Sequence, residues 1–279
     1  MINLIYNELI KATFKKRTYI SFFLITALIP IIVLGFKYGA SSLETKIANQ
    51  MQDMFLIAGT AVNGNLAAYI IIAILIAQMQ FLSTIVPSEI ISGEYSKGTF
   101  RLYLTRPISR FGVFLSKVFV VALTTTLMML FFFSYTILIS TMFLGDGLLV
   151  VFHNGLLAHN ESNDIFSRFF IGYIFSNIIM LTISFLCLMF SSFCKNSVTP
   201  IISTISIVFI GTAIKFIPID IFEIINPYIF TGYMDIFLNA FYIPIPYDTF
   251  YSCIMVCLFW SFIFLVIAYY NFLNKDILE

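Results

Sequence analysis

Apolar residues in this chain gather into six long runs, near Thr18 to Lys37, Leu66 to Val86, Val118 to Leu144, Phe169 to Phe193, Val198 to Ile217 and Phe250 to Phe272. About 20 apolar residues at a rise of about 1.5 Å each cover the roughly 30 Å hydrocarbon layer, so each run is predicted to cross a bilayer as a helix. The first run has a basic flank like that of a signal peptide, but its apolar part is too long and the GFKYGASS that follows is a poor cleavage site. Ahead of it, INLIYNELIKATFKKR alternates at helical spacing. Ile2, Ile5, Leu9 and Ala12 fall on one stripe with Tyr6 and Ile10 beside it, and Asn3, Asn7, Glu8, Lys11 and Lys15 fall on the other side. Residues 1–17 therefore read as an amphipathic helix lying in the inner leaflet, its basic end near anionic lipid.

Between the runs the pattern is uneven. Residues 38–65 hold MQDMFLIAGTAV, too short to span and read as a membrane-dipping helix or an extension of span 2. Residues 218–248 are short amphipathic pieces broken by Pro218, Pro227, Gly232, Pro244 and Pro246, with Tyr228, Phe230, Tyr233 and Tyr242 suited to headgroup depth. The expected fold is all-α, six transmembrane helices with an N-terminal interfacial helix and short extracytoplasmic helices before the last span. One transmembrane domain, residues 1–279, accounts for the chain, without internal repeats.

Composition agrees. Hydrophobic residues make up 60% of the 279 positions and charged ones 10%, against about 25% in soluble domains. The distribution of charge sets the orientation. With both termini inside, Lys11, Lys15, Lys16, Arg17, Lys97, Arg101, Arg106, Arg110, Lys117, Lys195 and Lys275 are cytoplasmic and only Lys37, Lys46, Arg168 and Lys215 are outside, an asymmetry of the positive-inside kind. The densest charge is in Glu89 to Lys117, EIISGEYSKGTFRLYLTRPISRFGVFLSK, which makes residues 87–117 the expected working surface.

Several chemistries find no support. No GxxxxGK[ST] loop occurs, so a nucleotide-hydrolysing domain of that class is not encoded here. No ionisable group falls in the middle of a run, which argues against a proton-coupled carrier or an intramembrane protease of the metal or diacid kind. His153 and His159 lack zinc-enzyme spacing, and Cys187, Cys194, Cys253 and Cys257 lie in or beside spans, with Cys253 and Cys257 on one face; neither a metal site nor a disulfide framework is expected. Uncharged polar residues remain: Gln78, Gln80, Ser83 and Thr84, the run Thr124 to Thr126, Asn177, Ser184, Ser203, Thr204 and Ser206. Of these Gln78, Gln80, Thr125, Asn177 and Ser203 are candidate pathway-lining positions, although each is also suited to joining helices by hydrogen bonds.

Glu94, Gly98-Thr99, Leu102-Tyr103-Leu104, then Arg106-Pro107-Ile108-Ser109-Arg110 and Lys117 follow one another in an order that resembles the loop between the second and third spans of type-2 ABC transporter permeases. The resemblance extends to the N-terminal helix, the six spans, the serine-rich turn Ser191 to Ser197 and the helical segment before span 6. It implies a permease subunit that pairs with a second, identical or related, permease and docks on separate ATP-binding-cassette ATPases in a bacterial plasma membrane. The chain itself would then be no enzyme and carry no cofactor, ATP and magnesium being held by the ATPase. Glu89, Glu94, Gly98, Thr99, Arg101, Arg106, Pro107 and Arg110 are the implied coupling residues, and their chemistry suits docking on an ATPase. Gly98 allows a bend, Pro107 starts a helix, and the arginines offer forked donors to a partner's carboxylates. Tyr228, Gly232, Tyr233 and Phe237 are expected to form an outer gate at the subunit interface. The scarcity of charge in the spans favours a hydrophobic or amphipathic cargo, a peptide, drug or lipid-like molecule, over a polyanion or nucleic acid. A non-transporting membrane scaffold and a passive channel are the alternatives.

Overall fold

The computed structural model describes residues 2–50, 63–96, 109–152, 156–159, 162–217 and 219–274. Six helices are long and apolar enough to cross a membrane, as expected of a multi-pass membrane protein: Lys16–Gly39, Gly64–Ile90, Arg110–Leu144, Asn163–Phe193, Val198–Lys215 and Tyr247–Asn274, numbered spans 1 to 6. A separate helix, Ile2–Phe14, precedes span 1.

Two elements differ from the sequence expectation. The helix carrying span 1 continues to Gln50 instead of ending at a loop near residue 38. No Gly or Pro occurs between Gly39 and Gln50, so nothing in that stretch stops it. MQDMFLIAGTAV lies outside the described residues. Between spans 3 and 4, Leu149–Phe152 (β1) pairs antiparallel with Leu156–His159 (β2), Leu149 opposite His159 and Phe152 opposite Leu156. The sequence carries the signal for this hairpin, Asn154-Gly155 between two β-branched or apolar runs.

Span 4 is the axis of the bundle. In its apolar window 61% of residues are buried, against 22% to 39% in the other five, and it packs on spans 2, 3, 5 and 6. Beside large apolar residues such as Ile179, Met180 and Ile183, its buried positions include the small or weakly polar Gly172, Ser176, Thr182, Ser184, Cys187, Ser191 and Ser192, which lets neighbouring helices approach closely. At Gly172 an added Cβ would lie 2.6 Å from the Phe237 ring, so only glycine fits.

Span 2 is broken rather than continuous. After Gly64–Leu75 comes a tight turn at Ile76–Gln78, then Met79–Ser83, Ile85–Ile90 and, past a turn at Ile91, the short helix Ser92–Ser96. Pro87 explains the break at Thr84: it has no N–H to give to Ser83 O, four residues back. Span 4 meets the freed carbonyl: Ser184 Oγ donates to Ser83 O at 3.3 Å, while Cys187 Sγ, 3.5 Å from Thr84 O, adds to a carbonyl that already accepts from Ser88 N.

The two ends of the bundle are built differently. At the end carrying residues 89–96 and 109–117, hereafter the charged end, a compact apolar cluster of Ala12, Ile91, Phe114, Val121, Leu188 and Phe272 underlies polar groups. At the far end, residues 219–246 fold down onto the spans as short helical turns. Phe237 there is fully buried, with ring centroids 5.6 Å from Phe133, 5.9 Å from Tyr69 and 5.1 Å from Phe241.

Candidate functional site

At the charged end three elements converge on one ammonium group. Lys117 lies two turns into span 3, flanked by the buried Val113, Phe114, Val120 and Val121. Its side chain is wholly buried, and its three N–H bonds find three acceptors: Glu8 Oε2 at 2.9 Å, Glu94 Oε2 at 2.6 Å and Ile90 O at 3.2 Å. Glu8 comes from the N-terminal helix and Glu94 from the Ser92–Ser96 helix that continues span 2. Lys11, one turn after Glu8, closes the group from the more exposed side, 2.8 Å from Glu8 Oε1 and 3.1 Å from Glu94 Oε1.

Among the described residues the cluster holds two cations and two carboxylates, whose charges balance. This matters because an isolated charge would cost several kcal/mol to bury. Burial pulls the Lys11 pKa down, but the hydrogen bond to Glu8 and the charge of Glu94 more than offset it, so the group sits above the ordinary lysine value of 10.5. Tyr95, next in sequence to Glu94, is pushed up to about 12 by burial, with Arg110 opposing and Glu94 adding to the rise.

Further contacts lock the same end. Arg17, at the start of span 1, pairs with Glu89. Arg110 Nη1 donates to Leu273 O at 2.6 Å, capping the end of span 6, and Asn271 Nδ2 donates to Ser192 O at 2.7 Å. The groove between the N-terminal helix and span 2, lined by Lys11, Lys15, Arg17, Glu89 and Glu94, offers about 20 Å³, which admits about one water and no substrate.

Of the eight coupling positions expected from sequence, Glu89, Glu94 and Arg110 are brought together here, but toward partners in their own chain. Arg110 was expected to offer its donors to another protein, whereas one of its nitrogens is committed to span 6. Gly98, Thr99, Arg101, Arg106 and Pro107 lie outside the described residues. Glu8 was assigned to a solvated face and is instead 6% exposed, because it is the carboxylate that Lys117 needs.

The polar positions in the spans separate into two kinds. Thr125 is buried and bonded to Ser184 at 2.9 Å, and Asn177 Nδ2 donates to Thr126 Oγ1 at 3.3 Å; both join spans 3 and 4. Gln80 is buried within the chain and Ser203 is half-buried. Gln78 differs, being exposed near the middle of span 2. Phe81, one turn on from Gln78, is in ring contact with Phe209 of span 5 at 5.9 Å, and Ile74 of span 2 and Ile202, Phe209 and Ile210 of span 5 are exposed.

The expected gate residues also differ from one another. Tyr228 is exposed, but Tyr233 and Phe237 are buried in the chain's own core rather than on an open face. Broken into turns of three to six residues, the segment is short enough to seat each aromatic ring between span ends, and burial of those rings drives it inward. Gly232 is not a free joint. A Cβ there would lie 2.6 Å from Asn226 O, so glycine is required by close packing of two successive turns. Arg168, counted in the sequence only toward orientation, pins this segment. Its Nη1 donates to Ala240 O and Tyr242 O, both at 3.0 Å, while Nε bonds Asp164 at 3.0 Å. Lys215 adds an ion pair to Asp235 at 2.5 Å, and Trp260 Nε1 donates to Tyr228 O at 2.9 Å.

A comparison with curated proteins gave no match for this chain. A family described as "Protein of unknown function (DUF2705)" matches residues 27–278, nearly the whole of it, and the chain belongs to that family.

Proposed function

We propose that this chain is the membrane-spanning permease subunit of an ATP-driven exporter of the type-2 ABC class, working in a bacterial plasma membrane with both termini cytoplasmic. The observation that carries the reading is the ionic cluster of Glu8, Lys11, Glu94 and Lys117. It ties the N-terminal helix, the exit of span 2 and the entry of span 3 into one unit, on the two elements that residues 97–108 join in sequence. A push delivered there by an ATPase would reach all three elements together instead of bending one loop. In this reading the N-terminal helix lies in the inner leaflet, and residues 219–246 face the outside.

Pairing with a second permease is supported by the exposed positions of spans 2 and 5. Gln78 exposed at mid-span would be left unpaired by lipid tails, and a second subunit would cover it and supply a partner. The cargo is a hydrophobic or amphipathic molecule moved outward. ATP and magnesium are held by the ATPase subunits, and catalysis is theirs.

The test is purification from the native membrane with partners retained, followed by identification of the complex. An ATP-binding-cassette ATPase should co-purify. Arg106→Glu and Gly98→Val should abolish stimulation of its hydrolysis while leaving membrane insertion normal. Recovery of the chain without any ATPase, or full stimulation in both variants, would refute the proposal and leave the scaffold and channel readings.

A further inference from the structure

A helix that ran unbroken past Ile91 would bond the Ser92 N–H to Ser88 O. Here a hydroxyl from another span stands in that gap. Ser191 Oγ accepts from Ser92 N at 3.0 Å and donates to Ser88 O at 2.9 Å, bridging the two groups that would otherwise meet. Ile91, between them, has φ −108° and ψ −57°, well off regular helix values. Ser88, Ser92 and Ser191 are all fully buried, so water does not compete for these bonds. Ser92 Oγ bonds Ser88 O at 2.5 Å and lies 3.4 Å from Ser197 Oγ, so the turn between spans 4 and 5 closes over the junction.

Insertion of a side chain into the backbone hydrogen-bond ladder is one of the few causes of a sharp helix kink. Ser191 extends the row that begins with Ser184 and Cys187, at helical spacings of three and four, whose donors face carbonyls of span 2. Ser184 and Cys187 serve carbonyls near a break that Pro87 already dictates. No proline or glycine dictates the break at Ile91: Pro87 lies before it and Gly93 after it, and neither removes the Ser92 N–H.

We infer that Ser191 is a positioning residue: its hydroxyl is a wedge that opens span 2 at Ile91 and fixes the direction in which Ser92–Ser96 leaves the bundle. The wedge and the ionic cluster then hold this short helix from two sides, Ser92 toward span 4 and Glu94 toward span 3 and the N-terminal helix. Its bearing on coupling rests on the transporter reading, but the wedge itself does not.

The experiment measures the direction. In a Cys194→Ser background, with the other three cysteines buried, spin labels at Ser96→Cys and Asn274→Cys report the distance between the exposed ends of the short helix and span 6 in lipid nanodiscs. In Ser191→Ala the Ser92 N–H closes onto Ser88 O and the helix straightens. A change of about 20° acting over the roughly 7.5 Å from Ile91 to Ser96 moves the label by about 3 Å. Ser191→Thr keeps the hydroxyl and should restore the wild-type distance. Ser191→Cys, a weaker hydrogen-bonding group of similar size, should shift in the same direction as alanine and serves if alanine fails to accumulate. An unshifted distance in the alanine or cysteine variant, or a threonine variant displaced as far as alanine, overturns the wedge. A shifted distance with ATPase stimulation unchanged upholds the wedge and counts against the coupling reading alone.

Discussion

Replacing Lys117 by methionine keeps most of the length and the apolar stem of the side chain and removes its charge together with its three N–H donors. The charges of Glu8, Lys11, Glu94 and Lys117 sum to zero; without Lys117 these groups sum to −1, with two carboxylates 6% and 10% exposed and Lys11 between them. Removing one partner of a buried ion pair costs about 3–5 kcal/mol, because the remaining charge loses its compensation but stays buried. Lys117→Met should therefore lower stability by that amount in equilibrium unfolding of the purified protein in mixed micelles. Adding Glu8→Gln returns the sum to zero, with Glu94 still bonded to Lys11, and should recover about half of the loss or more. Lys11→Met is the contrast. Its ammonium is 46% exposed and screened by water, so its loss should cost about 1 kcal/mol or less. A Lys117→Met protein within about 1 kcal/mol of wild type, or a double variant no better than the single one, would show that the cluster does not hold these elements together.

Other perturbations read other parts of the fold. Arg168→Gln removes the donor shared by Ala240 O and Tyr242 O, and amide exchange over residues 236–242 should speed up by at least tenfold while exchange in span 4 is unchanged. Phe237→Ala empties a fully enclosed ring site and should cost about 3–5 kcal/mol. Because the folded-state pKa of Lys11 lies above the ordinary 10.5, its contribution to stability is complete below pH 10.5 and is lost as pH rises through the raised value. Wild-type protein should thus lose stability on going above that range by more than Lys11→Met does. For orientation, a cysteine at Ser109 should react with an impermeant thiol reagent only after the membrane is opened, and labelling of Ser109 in intact cells would reverse the assignment.

The six spans were legible because their length and apolarity are local properties, and each predicted run lies within or close to a helix of the structure. Partnership across the fold was not legible. Lys117 reads from sequence as one more basic residue at a span end. Yet it lies seven residues beyond Arg110 between two apolar pairs, Val113-Phe114 and Val120-Val121, too deep to be solvated, and only a few acids of that side, Glu8, Glu89 and Glu94 foremost, could neutralise it. Treating an embedded lysine as a demand for a carboxylate would have drawn Glu8 off the solvated face of its helix. Periodicity alone put it there, since a stripe of apolar residues says nothing about which polar neighbour is also buried. Ser191 was hidden for a different reason. Its serine-rich surroundings suggest a turn, and the hydroxyl gains meaning only from the carbonyl of Ser88, 103 residues away in sequence.

The distribution of these contacts constrains where a transport cycle of the proposed kind could move this subunit. At the far end, residues 219–246 are fastened by apolar rings, by glycines that leave no room for a Cβ and by Arg168 gripping two carbonyls. Interfaces of that kind transmit displacement as rigid bodies because packed cores do not deform gradually. At the charged end discrete polar fastenings add to the apolar cluster: a hydroxyl between Ser88 and Ser92, an arginine on Glu89, an ammonium among three oxygens. Span 2 is already divided at Ile76–Gln78, Thr84 and Ile91, so its segments can rotate without melting a long helix. Motion entering beside Glu94 would then be taken up at the joints of span 2, against a span 4 that stays fixed. The far-end segment would follow its own subunit rather than swing as a separate lid, which is what burial of Tyr233 and Phe237 inside the subunit requires.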